Sequence, residues 1–301
     1  MAEVVKGGGS LGRRLTVMVP YLWLLAFFLF PFLIVLKISF SEVVVAQPPY
    51  APVWDSFDAV IGHLSTISFE NYAFLFSDDL YLNSYLNSVR IAFVSTVIAL
   101  LIGYPLALGM ARSGPGWRLV LLTLVILPFW TSFLIRVYAW IGILKTEGLL
   151  NTALLSAGLI SEPLIIQYTT TAVYIGIVYS YLPFMVLPLY ASLEKLDASL
   201  LEAASDLGAR PWVAFWRVTL PLSLPGILAG SSLVFIPAVG EFVIPELLGS
   251  TSVQMIGRTL WNEFFQNRDW PIASAVAVLL LLVLVIPIML FQRYARAEGT
   301  G

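Results

Sequence analysis

Residues Glu194–Pro221 read EKLDASLLEAASDLGARPWVAFWRVTLP, a polar island between two apolar runs. The 301-residue chain around it is 59% hydrophobic and only 11% charged. A soluble domain carries about 25% charged residues. The bulk of the chain therefore has the composition of a polytopic membrane protein, and the island needs a reason to exist. Leu193 to Leu207 is rich in Leu, Ala and Glu, all strong helix formers. Asp197 or Ser199 is placed to cap its start. Gly208 is the residue best able to take the left-handed turn that ends a helix. Pro211 suits the first turn of a second helix, where its missing N–H is not needed. Trp212, Phe215 and Trp216 give that second helix an aromatic face. The expectation is helix, tight turn, helix, with Ala203 and Ala204 offering a smooth surface that another protein can approach. An amphipathic pair lying on the inner leaflet is the other reading of the same residues.

Outward from the island, apolar runs of about 20 residues mark six spans. They cover about Pro20–Phe40, Val89–Met110, Leu119–Leu144, Thr171–Ser192, Leu224–Leu247 and Ile272–Phe291. The first is too long for a signal peptide and reads as an uncleaved anchor. A single transmembrane domain is expected over 17–292, with a long outer loop at 41–88 and the island as a loop at 193–222. Residues 1–16 and 293–301 are expected to be cytoplasmic tails, the first of them disordered.

Lysine and arginine positions orient the chain. With the N-terminus inside, the inner loops hold Lys6, Arg13, Arg14, Arg112, Arg118, Lys195, Arg210, Arg217, Arg293 and Arg296. The outer loops hold Lys37, Arg90, Lys145, Arg258 and Arg268, half as many. Both termini and the island are then expected in the cytoplasm. The outer loops carry ten acids, among them Glu42, Glu70, Asp78, Asp79, Glu263 and Asp269, which favours a cationic solute mildly. A solvated loop that merely lacks positive charge accounts for the same counts.

There is no cysteine and one histidine, His63. No metal site is expected, since structural zinc and iron–sulfur clusters lack their ligands. No G-x-x-x-x-G-K-[ST] motif occurs, so the chain is not itself an ATPase. A membrane enzyme would lack an evident reacting set. A channel would not need the long polar island. Nothing points to nucleic acid.

The island is similar to the cytoplasmic EAA loop of membrane subunits of binding-protein-dependent ABC importers. That pattern is E-A-A, three residues, G, nine residues, I-x-L-P. Here it is Glu202-Ala203-Ala204, Gly208 and Val218-x-Leu220-Pro221, with Val in place of Ile. Four further stretches resemble the polyamine importer permeases, the putrescine PotH type first and the spermidine PotB type next. They are PYLWLLAFFLFPFLIVLKISFSE, LPFWTSFLIRVYAWIGILK, GEFVIPELLG and FFQNRDWPIASAVAV. The resemblance implies an all-α type I ABC importer permease of six spans that moves putrescine or spermidine inward by alternating access. It implies a second related permease subunit, two ATPase subunits that bind ATP and magnesium, and a periplasmic polyamine-binding protein. The chain itself would be non-catalytic and hold no cofactor. Glu202, Ala203, Ala204, Asp206, Gly208, Ala209, Arg210 and Pro211 would form the ATPase-docking element. An importer of an inorganic anion such as sulfate is the alternative.

Lys37 and Arg90, at the outer ends of the first and second spans, are counted with the outer loops; three further acidic or basic residues fall inside expected spans: Arg136, Glu241 and Glu246. Such residues face a cavity or a partner. Arg136 and Glu241 are each the 18th residue of their span, counted from Leu119 and Leu224, so they lie at similar depth. A buried Arg136–Glu241 charge pair or gate is one expectation. Glu241 and Glu246 meeting a polyamine ammonium is another, compatible with the first. Pro237, Gly240 and Pro245 argue for a broken helix there, the usual mark of a solute path. Tyr138, Trp140, Tyr181 and Trp261 are aromatic candidates for cation–π contact along that path. For any single tryptophan the headgroup belt is the competing reading.

Overall fold

The computed structural model describes residues 10–53 and 67–298. His63 lies outside the described residues, as do 1–9 and 299–301 of the expected tails. From Ser10 onward the backbone is already helical. In hydrocarbon every backbone N–H and C=O must be satisfied within its own segment, so an apolar chain of this kind becomes helix. The only strands among the described residues are a two-residue antiparallel pair, β1 (Glu42–Val43) and β2 (Tyr50–Ala51), with Glu42 opposite Ala51.

Among the described residues, four helices are long and apolar enough to cross a membrane: Thr16–Ser39, Asp79–Arg112, Thr170–Leu193 and Trp270–Met289. Two bent pairs supply the other expected spans. Pro115–Trp130 meets Phe133–Ser156 at 93°, and Pro211–Leu222 meets Leu224–Val239 at 62°. The bend in the third span departs from the single run expected, whereas a break in the fifth was expected from Pro237, Gly240 and Pro245. In the third, Pro128 removes a donor, and Thr131 and Ser132 are extended, with ψ of 150° and 139°. The fifth stops at Val239 rather than Leu247, because Gly240 to Phe242 leave helical geometry.

The chain divides into two compact units, residues 1–78 with 262–279 and residues 79–261 with 280–301. In the first, α1 (Ser10–Leu24) continues through a π-turn, Leu25–Leu29, into α2 (Phe30–Ser39). The end of α2 is tied to α3 (Glu70–Ser77). Asn71 donates to the carbonyls of Ser39 and Ser41 at 2.9 and 2.8 Å, and the Ser39 and Tyr72 hydroxyls meet at 2.7 Å. Burial pushes the Tyr72 phenol above its ordinary range, partly offset by that bond to Ser39. Lys37 donates to the Pro52 carbonyl, and its ammonium lies 4.3 Å from the centre of the Tyr50 ring.

The second unit is built on α4 (Asp79–Arg112), α5 (Pro115–Ile126), α6 (Phe133–Leu144), α7 (Leu149–Ser156) and α8 (Thr170–Leu193). The island follows as α9 (Ala198–Asp206) and α10 (Pro211–Ala214). The broken fifth span is α11 (Leu224–Val239) and α12 (Val243–Leu248), followed by α13 (Ile256–Trp261). The sixth span, α14 (Trp270–Glu298), belongs to the first unit up to Leu279 and to the second from Leu280. Val137, Ile177, Ile244, Leu248 and Met255 are buried together in one cluster, and Met110, Met185, Leu189 and Val234 in a second. Small residues let α8 and α11 approach closely, the usual device where lipid supplies no hydrophobic drive between helices. A Cβ on Gly226 would lie 2.6 Å from Ser192 Cβ, and one on Gly230 would lie 2.9 Å from the Met185 carbonyl oxygen.

Candidate functional site

The island folds as its residues dictate. Asp197 caps α9 by accepting from the Ser199 N–H at 3.0 Å. That bond holds the Asp197 carboxyl below the usual carboxylate range. At the other end Gly208 has φ +78. Its N–H donates to Ser205 at 2.8 Å, and the Ala209 N–H donates to Ala204 at 3.0 Å. Together these form a Schellman motif, which closes the carbonyls that a helix end leaves open. Arg210 is extended and Pro211 opens α10, so the chain reverses between the two helices.

No residue of α9 is buried, and Leu207 is 88% exposed. Glu202, Ala203, Asp206 and Gly208 are exposed too, while Ala204 and Ala209 are half-buried. The base of the loop is braced. Arg118 of α5 and Glu194 form an ion pair at 2.8 Å, and the Tyr104 hydroxyl of α4 meets that of Ser223 at 2.9 Å. Tyr104, Arg112, Leu201, Ser205, Trp212 and Phe215 line a hollow of about 530 Å³ beneath it. The arrangement is an arm braced at its base with an exposed outer face.

The broken span is the second candidate. Glu241 sits in the gap between α11 and α12 and is 7% exposed. Its Oε1 accepts from the N–H groups of Val243 and Ile244 at 3.0 and 3.3 Å, and its Oε2 accepts from the Tyr181 hydroxyl at 2.5 Å. The carboxylate thus satisfies the first amides of α12, which the break would otherwise leave unpaired. Tyr181→Phe removes a donor to a buried carboxylate, a change worth about 1.5–3 kcal/mol. The thermal midpoint of the detergent-solubilised chain is expected to fall accordingly.

The expected Arg136–Glu241 pair does not form. Arg136 donates instead to the Pro128 carbonyl and lies over the Phe129 and Phe133 rings, 5.2 and 5.9 Å from their centres. The bend in the third span explains this. It turns α6 away from α5 and opens a carbonyl beside the guanidinium. The Thr131 hydroxyl shares that carbonyl at 2.8 Å.

Glu246, by contrast, has a cation that sequence reasoning did not assign to it. Arg258 Nε of α13 lies 2.5 Å from Glu246 Oε2, with the side chains 17% and 42% exposed. Arg258 also donates to the Ser250 carbonyl at 3.0 Å. Arg258 is the functional candidate the sequence reading missed, and the bond of Tyr181, one of its aromatic candidates, to Glu241 was not expected. Arg258 was visible there only as one of five outer charges. Of the aromatic candidates, Trp261 stacks on Phe242 at 4.5 Å between centroids and 10° between planes. Trp140 packs edge-on against Tyr179 at 5.3 Å, and Tyr138 is exposed. Glu246 of α12, Phe242 at its N-cap and Trp261 of α13 thus come together, and Tyr138 is left exposed.

Residues 99–297 match the family model described as the binding-protein-dependent transport system inner membrane component. The chain is 42% identical over 281 residues to the spermidine/putrescine transport system permease protein PotB of Haemophilus influenzae, covering 93% of each. It is 43% identical over 227 residues to the PotB protein of Escherichia coli, covering 75% of this chain and 82% of that one. Among solved structures, a bacterial ABC transporter involved in the import of the acidic polysaccharide alginate aligns with TM-score 0.69 and 18% identity, over 94% of both chains. At that identity the likeness speaks for the fold alone.

Proposed function

This chain belongs to the binding-protein-dependent transport system inner membrane components, and from that premise we propose that it is one permease subunit of an ATP-driven polyamine importer. Putrescine or spermidine enters from the periplasmic side and leaves into the cytoplasm by alternating access. The observation that carries the reading is the 42% identity, over 93% of both chains, to a spermidine/putrescine permease. The half-exposed carboxylate of Glu246 beside stacked aromatic rings supports it, since both groups attract an ammonium.

The rest of the assembly follows from the same premise. Two ATPase subunits bind ATP and magnesium and do the hydrolysis. A second, related permease subunit completes the path, and a periplasmic binding protein delivers the solute. Both termini lie in the cytoplasm. The exposed face of α9, with Glu202, Ala203 and Asp206, and the turn Gly208–Ala209–Arg210–Pro211 seat in a cleft of one ATPase. Closure of that ATPase then moves the bent fifth span through the Tyr104–Ser223 brace.

Proteoliposomes holding the reconstituted complex test this directly. With ATP supplied, labelled putrescine or spermidine is expected to accumulate, and labelled sulfate is not. Sulfate accumulation without polyamine uptake would overturn the reading in favour of an anion importer.

A further inference from the structure

The break after α11 places α12 and α13 side by side. Phe242 is the N-cap of α12 and Glu246 lies one turn further on, its N–H donating to the Phe242 carbonyl at 3.0 Å. Arg258 and Trp261 are three apart on α13 and share a face. The two pairs meet in register: ring on ring for Phe242 and Trp261, charge on charge for Glu246 and Arg258. The result is a carboxylate and an aromatic platform, the two groups that bind a primary ammonium, with a cation of the protein's own already in place.

That internal cation has a second anchor. Its Nε lies 2.5 Å from the Glu246 carboxylate. The same guanidinium is anchored independently through the Ser250 carbonyl. Glu246 is reachable from outside, at 42% exposed, whereas the neighbouring Glu241 is buried and fully engaged by three donors. An incoming ammonium can therefore replace Arg258 at Glu246 while Arg258 stays held at Ser250. It cannot compete at Glu241 without uncapping α12.

We propose that Glu246, Phe242 and Trp261 form an ammonium-binding station on the polyamine path, and that Arg258 is a built-in competitor that occupies it between transport events. The proposal rests on the polyamine reading above. The competitor explains how a station with a carboxylate can pass a cation on. Arg258 returning to Glu246 replaces the leaving ammonium, so the carboxylate is never left bare in a region of low dielectric.

The test is the concentration dependence of putrescine import by the reconstituted complex. Glu246→Gln is expected to raise KM about tenfold, equivalent to ~1.4 kcal/mol. Arg258→Gln removes the competitor and is expected to lower KM about fivefold while also lowering kcat, because release slows. The KM effect of Arg258→Gln is expected to vanish in the Glu246→Gln background, the signature of two groups acting on one another. An arginine that only supports the fold would not lower KM. An unchanged or raised KM for Arg258→Gln overturns the proposal. If that variant does not assemble, Trp261→Leu decides: a rise in KM of about threefold or more supports the station, and no change overturns it. A wild-type complex that imports no polyamine at all would instead refute the function itself.

Discussion

Gly257→Ala is expected to leave little folded protein. A Cβ at that position would lie 2.2 Å from the carbonyl oxygen of Gly240 and 2.8 Å from that of Glu241. Carbon–oxygen contacts normally stop near ~3.3 Å, so α13 would have to retreat by about an ångström from the break. It is not free to do so. The Ile256 N–H donates to Ser88 at 2.7 Å, and the Thr259 hydroxyl meets that of Ser84 at 3.1 Å, both on α4. The obstacle is backbone, which cannot rotate aside as a side chain would. Overpacking against backbone in a closed core is expected to cost about 3–5 kcal/mol, a large share of the ~5–15 kcal/mol that holds a typical domain. The thermal midpoint and the yield of monodisperse protein in detergent check this. Gly109→Ala is the control, since a Cβ there meets nothing within 4 Å. It lies inside α4 and is expected to be neutral or to add about 0.5–1 kcal/mol through helix propensity.

Gly208→Pro is expected to cut polyamine import by about tenfold or more, equivalent to ~1.4 kcal/mol of lost coupling, without loss of the membrane domain. Gly208 has φ +78, and proline is confined near −65°. Proline also lacks the N–H that Gly208 donates to Ser205. The turn between α9 and α10 would open and the exposed arm would lose its direction. Because Leu207 and Gly208 are exposed, the buried clusters are left untouched. Glu202→Lys changes only charge on the outer face of α9 and is expected to weaken import in the same direction. Co-purification of the ATPase with each variant separates lost docking from lost coupling. Full import by both variants would remove the docking role.

Much of the island was legible because its signals are local. A carboxylate two residues before an amide, a glycine at the end of a helix and a proline at the start of the next act within a few residues, whatever surrounds them. The match of its spacing to a known loop added the expectation of an ATPase partner. The apolar runs were legible for a similar reason, since length and composition alone decide whether a helix can span.

The pairing of charges was not legible. Counting residues placed Arg136 and Glu241 at equal depth, but depth is one coordinate of three. The turn at Thr131 and Ser132 bends the third span by 93°, and Arg136 donates to the Pro128 carbonyl at that turn, which it shares with Thr131. Glu241, at a second break, is consumed by the amides of the helix it precedes and by Tyr181, sixty residues away in sequence. The weakness of an ideal helix around Pro237, Gly240 and Pro245 was foreseen; which carboxylate the break would leave open was not.

The sequence by itself determined that this protein is a bundle of apolar helices carrying one polar helix–turn–helix arm, and that its motif belongs with importer permeases. Only the tertiary structure decided the partners of the intramembrane charges: Glu241 to Tyr181 and the α12 amides, Glu246 to Arg258, Arg136 to a carbonyl. The physical reason is that charge pairing depends on azimuth and bend. Those are set by how glycines such as Gly226, Gly230 and Gly257 let backbones meet, across separations that no local pattern encodes.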